Sequence, residues 1–137
     1  VKAPLFRART DGASRGNPGP AALGVSIEDE TGREVAVASE SIGRTTNNVA
    51  EYRALIEAVR LLQELGARRV EFLLDSELIV RQMNGQYRVR DPKMRELHAK
   101  VQAGLGSFTQ ISFIHVPRSE NTRADALANE ALDRSCG

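Results

Sequence analysis

NVAEYRALIEAVRLLQEL, residues 48–65, carries its apolar side chains at helical spacing. Leu55, Ala58, Leu62 and Leu65 fall on one stripe, Tyr52, Ile56 and Val59 flank it, and Arg53, Glu57, Arg60 and Glu64 face away. Gly66 ends the run, as glycine commonly ends helices. One residue breaks the pattern: on a helical wheel Glu51 falls within about 40° of the stripe, on the side predicted to be buried. Burying an unpaired carboxylate costs several kcal/mol, so Glu51 needs a cation or a proton, and no Lys or Arg shares its face.

Outward from this helix the chain alternates short strands with further helices. Upstream, residues 5–11 (LFRARTD) alternate as a strand does and run into Asp11-Gly12, with a loop over 12–20. Residues 21–29 and 34–42 read as a hairpin about Glu30-Thr31-Gly32-Arg33. Downstream, 70–74 is an apolar run of parallel-strand type ending at Asp75-Ser76, and a helix over 76–84 is broken by Asn84-Gly85. A helix over 92–104, a strand over 111–116 and a last helix over 121–132 complete the chain. The order βββαβααβα predicts an α/β fold with a five-stranded mixed sheet: the hairpin of strands 2 and 3 lies against strand 1, strands 4 and 5 run parallel to strand 1, and helices cover both faces.

With 137 residues, the chain has room for one full-sized domain, expected over 1–137; excision from a longer protein is one origin of a chain that starts without Met. No apolar run approaches the roughly 20 residues of a membrane helix, so no membrane association is expected. The single Cys136 excludes an internal disulfide and a Cys-based zinc site and makes a reducing, cytoplasmic location the expectation. A monomer is expected. The net charge of +1 is small for a polyanion binder, but residues 81–100 hold six cations against Asp91 and Glu96, and 16 of the 19 basic residues are Arg, whose fork suits phosphate.

Four acids stand at element ends, where each also has an ordinary explanation. Asp11 precedes a turn glycine, Glu51 sits three after Asn48 as in a capping box, Asp75 could cap the helix it introduces, and Asp125 sits three after Thr122. The inward direction of Glu51 favours a site instead. Asp11 and Asp75 end strands that should be parallel, and the carboxyl ends of such strands are where ligand sites form. Hard oxygen donors without His or Cys partners suit Mg2+ or Mn2+, and two such ions serve in-line phosphoryl transfer. Two ions held by the four acids would move the net charge from +1 to +5.

The segments Asp11-Gly12-Ala13-Ser14-Arg15-Gly16-Asn17-Pro18-Gly19-Pro20, Thr45-Thr46-Asn47-Asn48-Val49-Ala50-Glu51, Asp75-Ser76 and Asn121-Thr122-Arg123-Ala124-Asp125 resemble, in order, the signature segments of type 1 ribonuclease H. The resemblance implies a ribonuclease H-like fold and an endonuclease that cuts the RNA strand of an RNA/DNA hybrid with little sequence preference, leaving 5′-phosphate and 3′-hydroxyl ends. It implies Asp11, Glu51, Asp75 and Asp125 as ligands of two Mg2+ (or Mn2+) ions, and His115 as the histidine beside the site that assists release. It also implies RNA-strand contacts from Gly12, Ala13, Ser14, Arg15 and Asn17, and minor-groove contacts from Asn47 and Asn48. Arg44 and Thr46 match a pocket for a DNA phosphate, with Asp91 where the family usually has Asn. Asn121 and Glu77 are further expected contacts, although Glu77 replaces the family's usual Gln.

Many members carry a basic, Trp-containing protrusion between the second and third helices, and this chain does not. Arg81, Arg88, Arg90, Lys93, Arg95 and Tyr87 are the substitutes for it. The competing readings are a hybrid-binding module without turnover, a DNA-acting nuclease of the same superfold, and a response-receiver domain, which the hairpin over 21–42 contradicts.

Overall fold

The structure, a computed structural model, describes residues 2–136; Val1 and Gly137, the ends of the expected unit, lie outside them. The strands are β1 (Leu5–Ser14), β2 (Gly19–Glu28), β3 (Glu34–Thr45), β4 (Arg69–Leu74) and β5 (Gln110–His115). The helices are α1 (Asn47–Glu64), α2 (Glu77–Met83), α3 (Pro92–Gly104) and α4 (Thr122–Cys136), with single 3-10 turns over Leu105–Ser107 and Arg118–Glu120. Sheet order is β3-β2-β1-β4-β5. β2 is antiparallel to β1 and β3, while β4 is parallel to β1 and to β5, as the element order predicts.

Helices cover both faces. On one face Leu55, Ala58 and Leu62 of α1, Ile79 and Met83 of α2 and Leu97 and Val101 of α3 share a core with Leu23, Val25 and Phe72 of the sheet. On the other face Ala131 and Leu132 of α4 pack on Ala22. β2 is therefore buried along nearly its whole length, which explains why its sequence reads as an apolar run with little alternation. Phe113 of β5 stacks on Phe72 of β4, with ring centroids 4.8 Å apart.

Local chemistry moves several boundaries. The stripe on α1 stops at Leu62, and Leu65, expected inside, is 38% exposed at the helix end. Thr46 caps α1 by accepting from Val49 N, Ser76 caps α2 from Ile79 N, and Asp91 caps α3 from Met94 N. The capping roles open to Asn48 with Glu51, and to Asp75, are thus taken by their neighbours. β1 and β2 both extend into the expected 12–20 loop, so Asp11 lies inside a strand. Its parallel ladder to β4 nonetheless ends at Arg9 and Leu73, and past that point the two strands part.

Two glycines set the distance of the helices from that gap. A Cβ on Gly12 would stand 2.3 Å from the Ala50 carbonyl carbon and the Glu51 nitrogen, so only glycine lets the first turn of α1 rest on β1. A Cβ on Gly24, the β2 partner of Asp11, would stand 2.1 Å from the Ala124 carbonyl oxygen of α4. Each bare position admits the start of a helix, and an acid follows at once: Glu51 directly after Ala50 in α1 and Asp125 directly after Ala124 in α4.

Candidate metal centre and nucleic-acid interface

Four elements converge where β1 and β4 separate. Asp11 comes from β1, Asp75 from the residue after β4, Glu51 from the start of the second turn of α1 and Asp125 from the first turn of α4. Carboxylate oxygens of Asp11, Glu51 and Asp75 all lie within 4.8 Å of one another. Asp125 stands close enough for its charge to help raise the carboxyls of both Asp11 and Asp75. Asp11, Asp75 and Asp125 line an open cavity of about 480 Å3 with Gly12, Ser14, Asn47, Arg118 and Asn129.

Crowding and burial set the protonation. Asp11 is 5% exposed, and burial, then the charge of Asp75, push its carboxyl from 3.8 up to about 7. Glu51, 6% exposed, is raised well above its ordinary value, chiefly by burial and then by Asp11. Its Oε1 accepts from Gly12 N at 3.1 Å, but Oε2 is buried with no partner. Asp75 is raised by burial, with the Arg118 guanidinium pulling the other way. A buried, orphaned carboxylate oxygen among oxygen-only donors, with protons shared where charges cannot coexist, fits a hard divalent cation such as Mg2+ or Mn2+.

The expected substrate contacts divide into three groups. Ser14, Asn17 and Asn47 form one clamp at the cavity rim: Asn47 Oδ1 accepts from both the amide and the hydroxyl of Ser14 at 2.9 Å, and Asn47 N donates to Asn17 Oδ1 at 3.1 Å. Ala13 and Arg15 line the same cavity, with Arg15 paired to Asp133 of α4. Thr46 and Asn48 share a second depression with Asn17, Asp91 and Lys93; Arg44, exposed on β3 opposite Pro20, is not part of its wall.

Other expected contacts lie apart from the acids. Glu77 is exposed and bonded to Arg81 at 2.8 Å. Tyr87, 47% exposed, stacks under the Arg81 guanidinium at 5.3 Å and lines a separate pocket with Gln82, Arg95 and His98. His115 ends β5 opposite Leu74, exposed, with its charge felt at Asp75. Asn121 needs correction. It is fully buried, and its Nδ2 donates at 2.9 Å to Thr10 O, beyond the last β1/β4 pair, so it ties α4 to β1 beneath the site and has no surface from which to touch a substrate.

Two residues at the cavity have no counterpart in the sequence reading. Arg118 brings its guanidinium to 3.8 Å from Asp125, from a 3-10 turn that has no periodicity to reveal it. Asn129 Nδ2 donates to Asp125 Oδ1 at 3.3 Å and to the Asp125 carbonyl at 2.9 Å. Its spacing of four residues from Asp125 on one helix was a readable signal.

A family model described as reverse transcriptase-like matches residues 9–131. A ribonuclease HI of Halobacterium salinarum is 47% identical over 123 residues, which make up 90% of this chain and 62% of that protein. The bifunctional protein Rv2228c of Mycobacterium tuberculosis is 44% identical over 124 residues, 90% of this chain and 34% of that protein. The chain thus spans about a third to somewhat under two thirds of the length of these curated relatives. The crystal structure of LC11-RNase H1, isolated from compost, in complex with an RNA/DNA hybrid superposes with a TM-score of 0.92 at 47% identity, covering 96% of this chain and 99% of that one.

Proposed function

Because the chain belongs to the type 1 ribonuclease H family, we propose that it is a metal-dependent endonuclease hydrolysing the RNA strand of RNA/DNA hybrids. The observation that carries this reading is the gathering of four carboxylates from four elements at one strand gap, three of them lining an open cavity and the fourth, Glu51, buried beside Asp11 and Asp75 with an orphaned oxygen. Mere structure gives no reason to bury such repulsion at a strand gap.

Asp11, Glu51, Asp75 and Asp125 would hold the cations. Two divalent ions bound there supply a nucleophilic water and charge stabilisation on the leaving 3′ oxygen, giving 5′-phosphate and 3′-hydroxyl ends. The residues of the chain place the substrate. The Ser14, Asn17 and Asn47 clamp offers amide and hydroxyl groups at the rim, suited to the 2′-hydroxyls that distinguish RNA from DNA in a shallow groove. The depression of Thr46, Asn48 and Lys93 lies beyond the clamp and is suited to a phosphate of the other strand, weakened by the Asp91 charge. His115, exposed at the end of β5 opposite Leu74, the residue before Asp75, would assist release.

The test is a panel of end-labelled duplexes: hybrid, all-DNA and all-RNA, each with Mg2+, Mn2+ or chelator. Metal-dependent cutting confined to the RNA of the hybrid is expected. Binding without cutting would leave a hybrid-binding module, and cutting of all-DNA would place the activity in another branch of the superfold.

A further inference from the structure

Asp125 stands apart from the other three acids. Asp11, Glu51 and Asp75 form the close triad, whereas Asp125 arrives from the helix on the opposite face of the sheet and lines the cavity with Asp11 and Asp75. Two donors approach its Oδ1. Arg118 does so at 3.8 Å with its own side chain 82% exposed, and Asn129 at 3.3 Å while also bonding the Asp125 carbonyl.

Asn129 sits in the middle of α4, where asparagine is a poor helix former because its side chain competes for backbone groups. It is half-buried in the wall of the carboxylate cavity, and its recorded bonds go to the site's own acid rather than to a neighbouring element. A neutral amide orients a carboxylate without offsetting its charge, which a cation in the same place would do.

We infer that Asn129 is a positioning residue for this reaction: it fixes the direction of Asp125, so that this carboxylate stays at the cavity it lines with Asp11 and Asp75 and adds its charge to the cation site. The inference rests on the proposed function, and its test separates the two. Asn129→Ala removes the donor while favouring the helix, and Asn129→Leu removes it while keeping volume.

Mn2+ affinity without nucleic acid, read from the EPR signal of free Mn2+, is expected to weaken roughly tenfold in both variants, the usual effect of losing a partner of a metal ligand. Their Tm should stay at or above the parent's for Ala and near it for Leu. On the hybrid, kcat should fall by about tenfold with KM unchanged, because the residue acts on a ligand rather than on the duplex. Mn2+ affinity equal to the parent's in both variants overturns the inference, whatever happens to Tm. A parent that fails to cut the hybrid removes the proposed function alone, and the Mn2+ affinities still decide the role of Asn129.

Discussion

Asp11 is the acid at the centre of the others: it is buried within 4.8 Å of Glu51 and Asp75 and feels the charges of Asp75 and Asp125. In the unfolded chain it ionises near 3.8, and in the metal-free fold near 7. Between those values the unfolded state gives up its proton first. Stability from this group is therefore complete below about pH 4, falls as pH rises towards about 7, and is level above, a loss on the order of a few kcal/mol. Asp11→Asn removes that dependence. Thermal melts in chelator should show the variant close to the parent at the acid end and more stable than the parent at pH 8; a difference that does not grow with pH would contradict the raised carboxyl. Glu51 shows how much a single residue can disclose, because an acid inside an apolar stripe with no cation on its face had to be explained by something outside the helix. Asn121 shows the opposite. Its burial depends on β1 and β4 parting after Arg9 and Leu73, a tertiary event that leaves no mark on nearby sequence.

The acids are delivered by elements, and the elements are set by Gly12 and Gly24. Alanine at either position would drive a methyl into the backbone of α1 or α4, and backbone cannot rotate aside as a side chain can. Gly12→Ala and Gly24→Ala should each cost about 1–3 kcal/mol in denaturant unfolding, the range for overpacking, and should lower cleavage by displacing Glu51 or Asp125. Gly106→Ala, with nothing within 4 Å of the added carbon, is the control and should match the parent. Parent-like stability in Gly12→Ala would mean that α1 is not held against β1 as described. Element type and order were legible because periodicity and breakers agree along most of the chain. Caps were less so: Thr46, Asn47 and Asn48 are all competent starts, and tertiary contacts of Asn47 with Ser14 and Asn17 leave the cap to Thr46.

For the whole molecule, a net charge of +1 understates the face offered to a polyanion. Several cations of the 81–100 stretch are already engaged: Arg81 with Glu77 and Tyr87, and Lys93 and Lys100 about Glu96. Filling the carboxylate cluster with divalent ions is then the larger electrostatic change, since it converts a cluster of acids at an open cavity into an anchor for phosphate. Strand directions followed from the element order, because a hairpin and two crossovers leave few ways to bury both faces, whereas the place of β4 beside β1 and of β5 at the edge comes from the fold. Arg118 escaped notice since its place at the cavity comes from a 3-10 turn between β5 and α4, where neither period nor cap constrains the residue.

The most direct measurement sets the parent beside Asp11→Asn on one RNA/DNA hybrid, with Mg2+ in single-turnover conditions, after melts have shown both to be folded. The parent is expected to cut the RNA strand and the folded variant is not, within a detection limit of about a thousandth of the parent rate. Parent-like cutting by Asp11→Asn would remove the carboxylate cluster from the chemistry and contradict a metal-dependent cleavage at this site.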